Sequence, residues 1–131
     1  MPNFRTEREW VDGDQSWLGS GHGLRNARTE TLDISAFTKG THYPNGYIPS
    51  GTTLAKVGGL MVPYNQAGTG GTEVLAGVLL TDLAIPAGST EDRPIPVLDH
   101  GRIKTNLLPF AFTAPAAGKD ATQFVYITAT A

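Results

Sequence analysis

Glycine and proline interrupt this chain so often that long regular helices are excluded. The 131 residues include 16 glycines and 9 prolines, and both residue types weaken or end a helix. No segment shows ten or more residues with the 3.6-residue apolar period that is typical of a helix. We therefore predict a mostly β fold, a small barrel-like domain of short strands with little helix, preceded by a long extended N-terminal arm.

Composition excludes several functional classes. Lys and Arg number 10 against 12 Asp and Glu, which gives a net charge of −2, and there is no Cys. A nearly neutral chain argues against a nucleic-acid partner, because phosphate neutralisation needs clustered basic residues. Without Cys the chain forms neither disulfides nor thiolate metal sites. We also expect no membrane span and no secretion signal, because the chain has no apolar run of about 18 residues and no apolar leader.

Residues 1–45 are predicted to form the extended arm, and residues 46–131 the β domain. The first part of the arm mixes both charge signs without a regular period, and three glycines between positions 19 and 23 indicate a flexible hinge. Large apolar side chains in such a segment favour folding onto a partner. The candidate contacts are Phe4, Trp10, Trp17 and Leu18. The alternative is that both Trp side chains fold back onto their own domain.

The end of the arm has a different character. Over residues 31–37, Leu32 and Ile34 alternate with polar residues, and this period of two predicts a half-buried strand. An extended strand can add to the sheet edge of a partner, where its backbone supplies hydrogen bonds and its side chains supply specificity. We therefore predict that Leu32, Ile34 and Phe37 also contact the partner.

Short strands separated by turns account for the rest of the chain. Gly58 and Gly59 predict a tight turn between two strands. Pro94 and Pro96 confine residues 93–98 to a sheet edge or an irregular β-region, because proline cannot donate a ladder hydrogen bond. A body of about 85 residues without disulfides or metal is marginally stable alone, so we expect it to oligomerise. The other predicted strands cover residues 52–57, 60–64, 73–80, 102–107 and 123–128.

Residues capable of chemistry are few and scattered. His22, His42 and His100 lie far apart, without the closely spaced ligand pairs of a zinc site. Asp99 and His100 are adjacent, so on a strand their side chains should point to opposite faces and should not hydrogen-bond. No Ser lies in a nucleophile elbow. We therefore predict that the protein is not an enzyme and has no metal, cofactor or small-molecule substrate.

Four short apolar segments follow one another between residues 51 and 101. They are GTTLAKV at 51–57, MVPY at 61–64, AGVLLTD at 76–82 and PVLDHG at 96–101. This ordered set resembles the head decoration proteins of tailed bacteriophages, the small capsid cement proteins of the lambda type, over residues 46–108. The motif positions are Gly51, Thr52, Leu54, Lys56, Pro63, Tyr64, Gly77, Leu79 and Asp82.

The resemblance implies a β-tulip-like domain that assembles as a homotrimer. It also implies a structural virion protein, made in the bacterial host cytoplasm, whose partner is the major capsid protein. The trimer would bind the outer surface of the expanded capsid at threefold and quasi-threefold positions and stabilise it against internal DNA pressure. One alternative remains open: a carbohydrate- or host-surface-binding β module displayed on a particle. Its sugar platform would consist of Trp10, Trp17, Tyr43, Tyr47 and Tyr64.

Overall fold

The computed structural model describes residues 15–19, 27–86, 88 and 91–128, and this part of the chain is mostly β, as predicted. Its one α-helix, α1, covers only Lys39–His42, and 3-10 turns occupy Ile34–Ala36 and Thr105–Leu107. The described strands are β1 (Arg28–Leu32), β2 (Tyr47–Ile48), β3 (Thr53–Val57), β4 (Leu60–Pro63), β5 (Gly77–Leu79), β6 (Leu83–Ala84), β7 (Arg93–Leu98), β8 (His100–Lys104) and β9 (Gln123–Ile127).

Five strands close into a small barrel, in the order β1-β4-β3-β5-β7 and back to β1. β7 pairs antiparallel with β1 through five residue pairs, from Arg28 opposite Val97 to Leu32 opposite Arg93. β1 also meets β4 in parallel, where Leu32 lies opposite Met61. The ladders β2–β6 and β8–β9 form two separate small sheets. Closing the five-stranded sheet gives each of its strands a neighbour on both sides.

The β3–β4 hairpin confirms its prediction. Gly58 and Gly59 have φ angles of +62° and +84°. Two successive residues with positive φ are what a type I′ turn requires, and that turn suits the twist of a hairpin. The ladder begins directly at the turn, with Val57 opposite Leu60. Local turn chemistry therefore sets the register of these two strands.

Two hydrophobic clusters form the core, and strands β5 and β7 lie between them. Along these strands Leu79 and Val97 belong to the first cluster, whereas their neighbours Val78 and Leu98 belong to the second. Because successive side chains point to opposite faces, both faces of these strands are buried. The first cluster, called the barrel cluster, contains Leu32, Ile34, Phe37, Ile48, Leu54, Met61, Leu79, Ile85, Ile95 and Val97. The second, called the outer cluster, contains Trp17, Leu75, Val78, Leu98, Ile103 and Phe124.

The strand predicted over residues 31–37 is wrong in its extent. β1 ends at Leu32, and a 3-10 turn follows at Ile34–Ala36. Asp33 caps this turn, because its Oδ1 accepts hydrogen bonds from the Ser35 backbone N–H at 3.0 Å and from the Ser35 hydroxyl at 2.6 Å. An Asp side chain that bonds the backbone two residues ahead favours a bend over a continued strand.

Strand β7 corrects the prediction that its prolines confine this segment to a sheet edge. β7 lies between β1 and β5. The Leu80 N–H donates to the Pro96 carbonyl at 3.1 Å, so Pro96, and with it Pro94, directs its backbone polar groups toward the β5 side. The residue pairs with β5 end at Val97. Pro94 lies beyond the last of these pairs, and opposite Pro96 the Leu80 carbonyl accepts the Ser50 hydroxyl at 2.6 Å in place of a ladder N–H.

Two other predicted strands differ in extent, and one matches. The 73–80 run is a strand only at β5, and the 102–107 run starts earlier, at His100, and gives way to a 3-10 turn at Thr105. The strand predicted at 123–128 is confirmed as β9, which pairs in parallel with β8.

Candidate functional site

The first described residues, 15–19, are called the tether, because they attach the N-terminal end of the chain to the body. The Trp17 side chain is fully buried in the outer cluster. Its indole N–H donates to the Ser50 Oγ at 3.1 Å. Of the two alternatives for this tryptophan, the structure has the one in which it folds back onto its own domain.

The tether backbone extends the β8–β9 sheet. The Gly19 N–H donates to the Arg102 carbonyl, and the Lys104 N–H donates to the Trp17 carbonyl, each at 2.7 Å. Leu18, the other predicted contact in this segment, is partly buried against the outer cluster. Both predicted contacts of the tether are therefore engaged with their own domain.

The motif residue Gly51 makes space for Trp17. Its φ angle is +95°, in the region that favours glycine. A Cβ at this position would lie 2.8 Å from the Trp17 Cδ1 and 2.7 Å from the Pro109 Cδ. Distances this short require the neighbours to shift, so Gly51 allows the indole and the proline ring to approach the same backbone.

The three side chains predicted to contact a partner from the end of the arm are buried instead. Leu32, Ile34 and Phe37 are at most 5% exposed and belong to the barrel cluster. Leu32 is buried because β1 is a strand of the barrel, and Ile34 and Phe37 lie in and directly after the 3-10 turn that follows it. This corrects the predicted 1–45 arm for its described part, since residues 28–37 belong to the folded body.

The remaining predicted arm contacts, Phe4 and Trp10, lie outside the described residues, as do positions 20–23 of the predicted hinge. Their roles therefore stay predictions. The chain that precedes Gln15 therefore remains the candidate for a partner-binding arm.

The four motif segments become neighbouring strands of the barrel. Residues 51–57 and 61–64 form the β3–β4 hairpin, residues 76–82 contain β5 beside β3, and residues 96–101 contain the end of β7 beside β5. Among the motif residues, Gly51, Thr52, Leu54, Gly77 and Leu79 are buried, Lys56 is exposed, and Pro63, Tyr64 and Asp82 are partly buried.

Two polar motif residues hold the loop that precedes β3. The Thr52 hydroxyl donates to the Pro49 carbonyl at 2.7 Å. The Asp82 carboxylate accepts the Ser50 backbone N–H at 2.7 Å. Lys56 instead makes a surface ion pair, with its Nζ 3.2 Å from the Glu30 carboxylate on β1. These contacts stabilise the strands and loops around Trp17.

An aromatic row that sequence reasoning missed joins β4 to β9. The ring centroids of Tyr64 and Phe112 are 6.0 Å apart, and those of Phe112 and Tyr126 are 5.5 Å apart. The Tyr126 hydroxyl donates to the Asp120 carboxylate at 2.7 Å. Burial, together with this carboxylate, raises the pKa of Tyr126. The only sequence signal for this row was an aromatic residue, Phe112, within a Pro- and Ala-containing stretch.

Asp99 and His100 correct the prediction that their side chains cannot meet. The Asp99 Oδ1 lies 3.0 Å from the His100 Nδ1. Asp99 falls between β7 and β8, outside both strands, so the alternation that separates neighbouring side chains does not apply to it. The Arg28 Nε lies 3.1 Å from the Asp99 Oδ2. The three residues form an ion-pair cluster on β1, β8 and the connection before β8.

A cavity of about 440 Å³ adjoins the β3–β4 hairpin and includes His42 and Tyr64 in its lining. The His42 ring packs edge-on against Phe37 and Phe110, with centroid distances of 5.3 and 6.4 Å. Its Nδ1 accepts the Thr38 backbone N–H at 2.9 Å. Burial lowers the pKa of His42, which favours the neutral ring that this hydrogen bond needs.

Comparison with protein-family models, with curated proteins and with solved structures finds no match to this chain. Within the described ranges, no group of three or more His, Asp or Glu side chains could hold a metal ion. None of the described helices is long and apolar enough to cross a membrane. The features of this chain that bear on function are therefore the motif segments, the tether and the surface around them.

Proposed function

We propose that this protein is a structural virion protein that decorates the outer surface of an expanded phage capsid. It binds there as a homotrimer, at threefold and quasi-threefold positions, and contacts the major capsid protein. By linking neighbouring capsid subunits it stabilises the shell against the internal pressure of the packaged DNA. In this proposal the protein has no catalytic role and no cofactor.

One observation carries the proposal. The four segments that resemble the decoration proteins lie on four adjacent strands, β4-β3-β5-β7, of a single closed barrel. Strands that follow one another in a chain often become neighbours in a sheet, and here all four segments do so within one barrel. Their common location supports the interpretation that they are parts of one scaffold, with the partner contacts supplied by the chain outside it.

The alternative, a carbohydrate-binding module, loses most of its proposed aromatic platform. Trp17 is fully buried, and Tyr43 packs against the barrel cluster. The Tyr64 hydroxyl donates to the Thr113 carbonyl at 2.8 Å, and its ring stacks beside Phe112. Of the described platform residues, Tyr47 alone is exposed. One exposed ring among the four described ones is a weaker basis for sugar stacking than the full platform that the sequence suggested.

Co-sedimentation with capsid shells tests the proposal. The full-length protein is mixed with expanded, undecorated shells of the phage that encodes it, and with unexpanded shells as the matched control. We expect saturable binding to the expanded shells, little binding to the unexpanded ones, and a higher disruption temperature of the decorated shells. Absence of binding to both kinds of shell would overturn the proposed function.

Stoichiometry and location are tested separately. Sedimentation of the protein in dilute solution measures whether it is a trimer before it binds. Cryo-electron microscopy of decorated shells then shows where it binds, and we expect added density on the outer surface at the threefold and quasi-threefold positions. Density at other positions, or on the inner surface, would contradict the proposed role as an external clamp.

A further inference from the structure

A shallow groove with a lining of apolar side chains and a few polar groups lies beside the tether. It consists of two adjoining cavities of about 190 and 220 Å³ that share Tyr47, Pro49 and Pro109 in their lining. Leu107 belongs to the first cavity and Phe110 to the second. We call it the proline groove and define it by these five residues.

The proline groove concentrates exposed apolar surface. Tyr47 and Leu107 are 38% and 39% exposed, and among the described residues Val125 is the one other large hydrophobic side chain with comparable exposure. Each cavity is smaller than the roughly 300–1,000 Å³ that is usual for small-molecule sites. The size and the lining therefore suit one large apolar side chain at a time rather than a separate ligand.

The walls of the groove are held in place by the outer cluster. Pro109 packs against the backbone of Gly51, beside the Trp17 ring. Ser50, which also lines the first cavity, accepts the Trp17 indole N–H and donates its own hydroxyl to the Leu80 carbonyl at 2.6 Å. A groove whose walls are fixed by buried contacts is preorganised, so an occupant loses less free energy to ordering them.

The described chain begins at the rim of this groove. The Gln15 side-chain amide donates to the Leu80 carbonyl at 2.7 Å. This is the same carbonyl oxygen that accepts the Ser50 hydroxyl, and Ser50 lines the groove. Residues 1–14 therefore join the body next to the proline groove, and they carry Phe4 and Trp10.

We propose that the proline groove binds the N-terminal segment 1–14 of its own chain through the indole of Trp10. Trp10 precedes Gln15 by five positions, and an extended chain spans at most about 16–18 Å over that length. That length suffices to return to a groove whose lining residue Ser50 shares an acceptor with Gln15. A flat indole against proline and tyrosine rings would bury a large apolar area with little loss of side-chain entropy.

Docking of Trp10 in the groove would occur in the free protein and does not depend on the proposed function. It would affect any partner that binds the N-terminal segment. Such a partner would compete with the groove for Trp10, so its apparent affinity equals its intrinsic affinity multiplied by the fraction of molecules in which the groove is empty.

Tryptophan fluorescence tests the proposal, because the chain has only two tryptophans. The difference between the full-length protein and its Trp10→Phe variant isolates the emission of Trp10. We expect this emission to be blue-shifted and protected from acrylamide relative to the same difference measured in urea. The protection should be lost in Tyr47→Ala and in Leu107→Ala, each of which removes an exposed wall of the groove.

Val125→Ala is the matched control, because it removes an apolar side chain from β9 that is even more exposed than Tyr47 and Leu107. It should leave the protection of Trp10 unchanged, and the urea midpoints of all variants should confirm that the body stays folded. The proposal is overturned if Trp10 is quenched in the native protein as strongly as in urea, or if Val125→Ala has the same effect as the groove variants. Protection that falls on dilution would assign the groove to a second copy and would overturn it as well.

Discussion

The two described segments that the sequence assigned to one arm attach to the body in different ways. Residues 28–37 contribute a whole strand to the barrel, with five residue pairs to β7 and three side chains in the barrel cluster. The tether, residues 15–19, is held by the buried Trp17 indole and by a few backbone hydrogen bonds to β8. The first segment completes the barrel, whereas the second covers part of its outside.

The comparison shows that distance from the N-terminus does not measure how dispensable a segment is. Without β1, strands β4 and β7 would present unpaired backbone groups, and such groups are costly when they are shielded from water. Without the tether, the outer cluster would lose one large side chain, but every barrel ladder would remain. A truncation meant to remove only the predicted partner-binding arm therefore has to end before Gln15.

Two truncations test this comparison with the largest expected effect. Deletion of residues 1–30 removes the tether and most of β1, so we expect the cooperative unfolding transition to disappear. Deletion of residues 1–14 removes no described contact and should leave that transition in place. Circular dichroism during thermal unfolding measures both. A cooperative transition in the longer deletion would show that β1 is not needed to close the barrel.

Leu32→Ala measures how much a buried side chain of β1 contributes to the free energy of unfolding, without changing the length of the chain. Leu32 is fully buried in the barrel cluster, and truncating a buried Leu to Ala costs about 2–5 kcal/mol of unfolding free energy. Thr29→Ala on the same strand is the control, because Thr29 is exposed and substitutions at such strand positions change stability by about 1 kcal/mol or less. Urea unfolding compares the two, and equal losses would contradict the burial of Leu32.

Gly51→Ala tests how firmly the tether is held against the body through Trp17. Gly51 and Gly58 both have positive φ, so an Ala at either position incurs a similar backbone cost, of about 1 kcal/mol. At Gly51 the new Cβ would also press on Trp17 and Pro109, whereas at Gly58 it would meet open space. We expect Gly51→Ala to be more destabilising than Gly58→Ala by about 1–3 kcal/mol, the usual cost of overpacking. Equal urea midpoints would mean that Trp17 is not held against this backbone.

Local signals in the sequence predicted the elements that depend on local contacts. The Gly58–Gly59 turn sets the β3–β4 register, and the β-branched and aromatic residues of β9 favour a strand wherever it pairs. The pairing of β1 with β7 joins residues that lie far apart in the chain, and no local pattern encodes such a register. Asp33 ended the predicted strand because side-chain capping competed with the alternating pattern.

The two proline residues of β7 show a second limit of prediction from sequence. A proline reduces the pairing capacity of one side of a strand only, and the sequence does not tell which side has a long neighbour. The same limit applies to the candidate site. The sequence identified Trp17 as an anchor, but an apolar ring in a polar segment binds equally well to its own body or to a partner, and only the tertiary structure distinguishes them.

The smallest expected effect is the pH dependence of stability that comes from His42, in the segment that follows β1. Burial against Phe37 and Phe110 lowers the pKa of His42 below its ordinary value of 6.5. A lowered pKa means that the unfolded chain binds the proton more readily than the folded one, so the contribution of His42 to stability is present above about pH 6.5 and is lost as the pH falls through the lowered pKa. His42→Gln removes this titration but keeps a hydrogen-bond acceptor. Urea unfolding at about pH 7.5 and about pH 5 should therefore show a larger loss of unfolding free energy at the lower pH in the wild-type protein than in the variant.

The tether contains no ionisable side chain, so a variant that removes its indole, Trp17→Phe, should keep the wild-type pH dependence. If Trp17→Phe flattened the pH profile and His42→Gln did not, the titrating contact would belong to the tether side of the molecule, and the contrast between the two segments would be reversed.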